Sequence, residues 1–189
     1  MKKVLLIAGA LFFVTPNMQA KDKEEDAKIV LVKNDSDGDY AYEEVVAVDG
    51  VSKEEMFKRA KQWIVANLKT VDNNIQFDDK DFVINNEAST IITASQGWGW
   101  VISRGSTSFK VHLAFKDGRY KFRIDNVTIY LEHGVAAPPN SGAYSLLMKD
   151  KDNKAKKHVV NDVNSQIGAV IDGVKNAIQT GGAAAKDNW

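Results

Sequence analysis

Four side chains able to bind a ligand alternate along one short stretch: Lys110 and His112, then Lys121 and Arg123. On extended strands this spacing puts all four on one face, because successive side chains point to opposite sides. Cations and an imidazole on one surface suit an anionic or polymeric partner, although solvation of a wet sheet face is their simplest account. Trp98 and Trp100 would share a face if residues 96–103 are extended, and exposed paired aromatics stack on sugars or bases. These six residues are the binding candidates.

Other constellations fall short of a site. His112, His133 and His158 lack a short metal-ligand spacing, so no metal centre is expected. Asp35, Asp37 and Asp39 alternate like the first ligands of a calcium loop. Tyr40 then stands where glycine is needed and Val46 where the bidentate glutamate is needed, so a solvated turn is expected. No serine sits in a Gly-x-Ser-x-Gly elbow. Glu43 and Glu44 are adjacent, so on a strand they point apart and cannot share acid–base work. No catalytic residue and no cofactor are assigned. The chain has no cysteine, which excludes disulfides, thiol nucleophiles and cysteine metal sites.

The element that positions the four candidates is a hairpin. Asp117-Gly118 between two alternating runs signals a tight turn, expected as type I′ with positive φ at both residues. The register follows: Lys116 faces Arg119, Phe115 Tyr120, Leu113 Phe122 and Val111 Ile124. The opposite face pairs Ala114 with Lys121, His112 with Arg123 and Lys110 with Asp125. One face is apolar and one wet, the pattern of an antiparallel sheet covered on one side. The alternation slips at Asn126, after which Val127, Ile129 and Leu131 are apolar in the other phase, so a β-bulge is expected there.

Two helices could cover the apolar face. Ser52 and Glu55 form a capping box, Val51 and Met56 a hydrophobic staple, and Phe57, Ala60, Ile64 and Leu68 follow at helical spacing. This predicts a helix over about 53–69. Val160, Val163, Ile167, Val170, Ile171, Val174 and Ile178 stripe a second helix over about 155–179, in which Gly168 and Gly173 would permit close approach to the sheet. Tyr40–Val48 reads as a strand, 81–85 and 88–95 as two short strands around Asn86, and 132–153 as a long connection.

Residues 1–20 read as a secretory signal peptide, with Lys2 and Lys3 ahead of the apolar run Val4–Val14 and cleavage expected near Ala20. No other run is long and apolar enough to span a membrane, and without cysteine a lipoprotein anchor is excluded. The expected organisation is signal 1–20, charged leader and turn 21–39, one domain 40–180 and a flexible tail 181–189. Removing Lys2 and Lys3 leaves 23 basic against 25 acidic residues. Such a balance disfavours nucleic acid as partner.

The expected α+β order, strand–helix–four strands–helix, resembles a half-unit of the TATA-binding-protein (TBP) fold. Val45-Val46-Ala47-Val48 before Gly50-Val51-Ser52, Lys58-Arg59-Ala60-Lys61-Gln62-Trp63, and Lys116-Asp117-Gly118-Arg119-Tyr120 followed by Asn126 resemble a family of secreted bacterial proteins of unknown function with a TBP-like fold. The resemblance covers about 40–131. It implies an antiparallel sheet with two helices on one face, and export, but no activity. The function expected is a non-catalytic binding module of the bacterial envelope. It would take a protein, glycan or small ligand on the open sheet face, a sheet edge or the Trp98–Trp100 segment. The alternative is a hydrolase of envelope polymers.

Overall fold

A computed structural model of the chain describes residues 29–35, 38–96, 100–134, 142–149 and 154–181. The expected signal, most of the leader, Trp98 and the tail beyond Gly181 lie outside the described residues. The elements are β1 (Val32–Lys33), β2 (Tyr40–Ala47), α1 (Lys53–Asn67), β3 (Lys69–Asp78), β4 (Val83–Gln96), β5 (Trp100–Lys116), β6 (Arg119–Gly134), β7 (Gly142–Ala143), α2 (Tyr144–Lys149) and α3 (Lys154–Thr180). The sheet order is β1-β2-β6-β5-β4-β3, with β7 pairing β6. Every strand pairing among the described residues is antiparallel.

The β5–β6 hairpin has the expected register, from Lys116 opposite Arg119 to Lys110 opposite Asp125. Its turn differs in type. Gly118 has φ +74° while Asp117 stays at negative φ, the order of a type II turn. The turn is held by docking rather than by twist alone. Asp117 Oδ1 accepts from the Lys53 N–H at 3.1 Å, and the Gly118 N–H donates to Val51 O at 3.2 Å. The hairpin tip thereby satisfies an orphan donor at the α1 N-terminus. Ser52 satisfies another, accepting from the Glu55 N–H at 3.3 Å. The reciprocal half of the box is not made, because the Glu55 carboxylate pairs with Arg59 at 2.8 Å.

The expected bulge is present. Register shifts between Ser108 and Lys110, with Asn126 at φ +52°, and Val127, Ile129 and Leu131 beyond it are buried. Both long helices pack on the face bearing Val111, Leu113, Phe115, Tyr120, Phe122 and Ile124. Phe57 of α1 meets Phe115 edge to face at 5.9 Å. Each such fully buried side chain contributes about 1.5–3 kcal/mol.

Three further expectations are corrected and one strand was missed. Residues 83–96 are one strand running through Asn86, which is buried on the helix side beside Ile75 and Val111. The partner strand β3 was concealed by its composition, since Lys69–Asp78 is rich in the polar residues Asp72, Asn73, Asn74 and Gln76, which strands disfavour. The 132–153 connection is shorter, because β6 continues to Gly134 and β7 and α2 occupy 142–149. Gly173 makes room for the Trp63 ring of α1 rather than for the sheet, and Gly168 lies beside Val30.

Candidate functional site

The open face is built by the period of two. On β6, Lys121, Arg123 and Asp125 point away from the helices while Tyr120, Phe122 and Ile124 are buried. Register carries that face across the sheet. One row runs Glu43, Arg123, His112, Asn85, Gln76, and the next runs Asp125, Lys110, Glu87.

Three of the four hairpin candidates already have partners. Glu43 bridges Lys121 at 2.7 Å and Arg123 at 2.9 Å. Asp125 takes Arg123 Nε at 2.6 Å and lies 3.3 Å from His112 Nε2. The other ring nitrogen, Nδ1, lies 2.7 Å from Asn85 Oδ1. Lys121, then Arg123, hold the Glu43 carboxyl below its usual range, and Asp125 and Glu43 keep the Arg123 guanidinium firmly protonated. Lys110 makes no ion pair among the described residues; its cross-strand neighbour Glu87 accepts from Asn74 at 3.0 Å instead. Lys110, Lys121 and Arg123 thus stand against Glu43, Glu87 and Asp125. Around Lys110 and His112 the charges balance, while Lys116 and Arg119 at the hairpin tip add two exposed cations to the same face. Glu43 and Glu44 point to opposite faces, as adjacency requires, and Glu44 pairs with Lys175 of α3 at 2.8 Å.

Lys110 and His112 stand between two shallow concavities. One, of about 170 Å³, is lined by Asn74, Gln76, Asn85, Asn86, Glu87 and these two. The other, of about 340 Å³, adds Asn34, Asp39, Ala41, Arg123, Asp125 and Asn126, so the β1–β2 turn forms one wall. The amides and Glu87 were missed; the signal was the polar alternation Asn74, Gln76 on β3 and Asn85, Glu87 on β4. Trp100 opens β5, but its side chain and Trp98 lie outside the described residues, and with them the expected tryptophan pair. His112 beside Asp125 resembles a base with its orienting carboxylate, yet neither lining contains a serine or threonine nucleophile.

A larger groove, about 1120 Å³, lies between β2 and α3 and shares Asn34, Ala41, Glu43 and Arg123 with this array. Several of its polar groups bond to one another. The Tyr42 hydroxyl donates to Glu44, and the Val30 N–H donates to Asn164 Oδ1 at 3.0 Å. Burial, then Glu44, push the Tyr42 hydroxyl well above its ordinary pKa. On the open face Lys110 and Arg119 make no ion pair among the described residues, whereas Lys121 and Arg123 are bridged.

Residues 42–130 match the model of a domain of unknown function, DUF4468, described as having a TBP-like fold. These residues belong to the DUF4468 family. The matched span takes in β2 through most of β6, and with them every described side chain of the polar array except Asn34, Asp39 and Ala41. Two crystal structures share the fold of this DUF4468 domain. A TBP-like protein from Parabacteroides distasonis ATCC 8503 is 13% identical with a TM-score of 0.63, covering 78% of this chain and 97% of its own. A DUF4468 family protein from Bacteroides ovatus ATCC 8483 is 15% identical with a TM-score of 0.62, covering 83% and 96%. No curated protein matches the chain. Among the described residues no helix is long and apolar enough to cross a membrane.

Proposed function

We propose that the chain is an exported, non-catalytic binding module of the bacterial cell envelope that holds a neutral, hydroxyl-rich ligand, such as a glycan, on its open sheet face at Lys110 and His112. The observation that carries this is the pair of polar concavities sharing those two residues, lined by amides and by charges that cancel. An anion would gain little from Lys121 and Arg123, which Glu43 and Asp125 already bridge. Sugar hydroxyls both donate and accept, and so match alternating amides, carboxylates and a lysine. The shallow sites suit a polymer touched along its length more than an enclosed small molecule. Export is supported by the signal-like Lys2–Ala20 segment.

A glycan microarray followed by calorimetry tests the reading. Neutral glycans should be retained by the wild type and lost by Lys110→Ala, while Lys58→Ala on exposed α1 leaves binding intact. Retention of acidic glycans alone, or of none, removes the proposal. The hydrolytic alternative draws on the His112–Asp125 pair. Cleavage of a bound glycan by the wild type but not by His112→Ala would replace the binding reading with it.

A further inference from the structure

We infer that two copies of this chain pair edge to edge along β2, antiparallel and centred on Val45. The argument starts from hydrogen-bond parity. The Val48 N–H donates to Gly118 O at 2.8 Å, and Val46 faces Tyr120, so Tyr42, Glu44 and Val46 turn their backbone groups toward β6. Glu43, Val45 and Ala47 therefore turn theirs outward. β1 covers that outer edge only at Tyr40 and Ala41. The next rung would join Val30 to Glu43, but the Val30 N–H donates to Asn164 on α3, which leads the chain off the edge. Among the described residues Tyr42–Ala47 is an open strand edge.

The charges that normally blunt such an edge are partly offset here. Glu43 is bridged by Lys121 and Arg123, and Glu44 by Lys175. Val45 is 61% exposed at the middle of the edge. A two-fold axis through Val45, normal to the sheet, matches outward groups with outward groups: Val45 opposite its copy, and Glu43 opposite Ala47. An axis through Glu44 would instead oppose two carboxylates. Charge complementarity favours a second copy as the occupant. Arg119, exposed and without an ion pair among the described residues, lies opposite Ala47 on β6 and so falls in line with Glu43 of the other copy. The groove between β2 and α3 leaves the helix side of the edge clear. Both open faces would then look the same way. The inference does not depend on what binds there.

Sedimentation of the full chain across a concentration series tests it, with Val45→Pro and Val45→Lys as variants. Proline removes only an outward N–H, which an edge strand tolerates. Lysine places like charges across the axis and should weaken the dimer about tenfold or more. The expected result is a wild-type dimer and monomeric variants with unchanged circular dichroism, and Arg119→Glu should weaken the dimer without touching the edge backbone. A wild type that stays monomeric, a dimer indifferent to Val45→Pro, or a monomer that instead takes up an added extended peptide at this edge overturns the inference.

Discussion

Asn164 ties three separate segments, and its removal should cost more than its size suggests. The residue is 1% exposed. Its Nδ2 donates to the Tyr144 hydroxyl at 2.6 Å and to Val160 O at 2.8 Å, and its Oδ1 accepts from the Val30 N–H. Asn164→Ala strips a partner from Tyr144 and from Val30. A buried group left unsatisfied costs about 1–3 kcal/mol, and Val30, only partly buried, sits at the lower end. The sum is about 3 kcal/mol. For a chain of this size 1 kcal/mol moves Tm by roughly 2–4 °C, so the variant should melt about 6–12 °C lower. Thermal denaturation reads the total, and amide exchange at Val30 reads the local opening. Tyr144→Phe removes one acceptor and should cost about 1 kcal/mol. The double variant should cost less than the two singles together, since both break the same bond. The Tyr144 hydroxyl, raised by burial and partly lowered again by Asn164, should ionise at still higher pH in Asn164→Ala. A Tm change within about 2 °C, the range of a surface substitution, or strict additivity, would refute the reasoning.

Substitutions at three further positions probe other parts of the fold. Gly173→Ala should destabilise by about 1–3 kcal/mol despite alanine's better helix propensity, because the added Cβ meets the Trp63 ring; a raised Tm, with unchanged tryptophan fluorescence, contradicts this. Asn126→Val should cost about 1–2 kcal/mol in a chemical melt and Asn126→Gly almost nothing, since the bulge holds φ at +52°; equal effects would reject the bulge as the cause. Lys121 and Arg123 depress the Glu43 carboxyl, so its contribution is present above the unfolded pKa and is lost as pH falls through the folded one. Glu43→Gln should therefore lower Tm slightly at neutral pH and flatten its fall in acid. The effect is small because the carboxylate is 42% exposed, and a curve parallel to the wild type would count against the bridge.

Local chemistry was legible where a turn or cap fixes it. Asp117-Gly118 gave the register of the hairpin as far as Lys110 and Asp125, and Ser52 gave the start of α1. Tertiary override defeated the same approach at Asn86 and along β3. A polar residue under the helices breaks the apolar alternation, and Asp and Asn on an edge strand imitate a loop. α2, six residues beyond a proline-containing connection, is too short to show a period. The site was half legible. Lys110, His112, Lys121 and Arg123 do share one face with Asp125, but the carboxylate that bridges Lys121 and Arg123 is Glu43, 80 residues from Arg123 in the chain. No spacing rule reaches that far.

The placement of β2 has a consequence for how the chain can be made. It is the first long strand, yet its only extensive partner is β6, the last of the long strands, and the helix that follows it takes a cap from Asp117, 64 residues later. Strand pairing at such separation must wait for loop closure. As the polypeptide emerges amino end first, β2 has only the two residues of β1 to pair with until residues 119–124 appear, while β3, β4 and β5 can already pair in sequence. The part of the sheet that carries β2 therefore closes last, onto strands made after it.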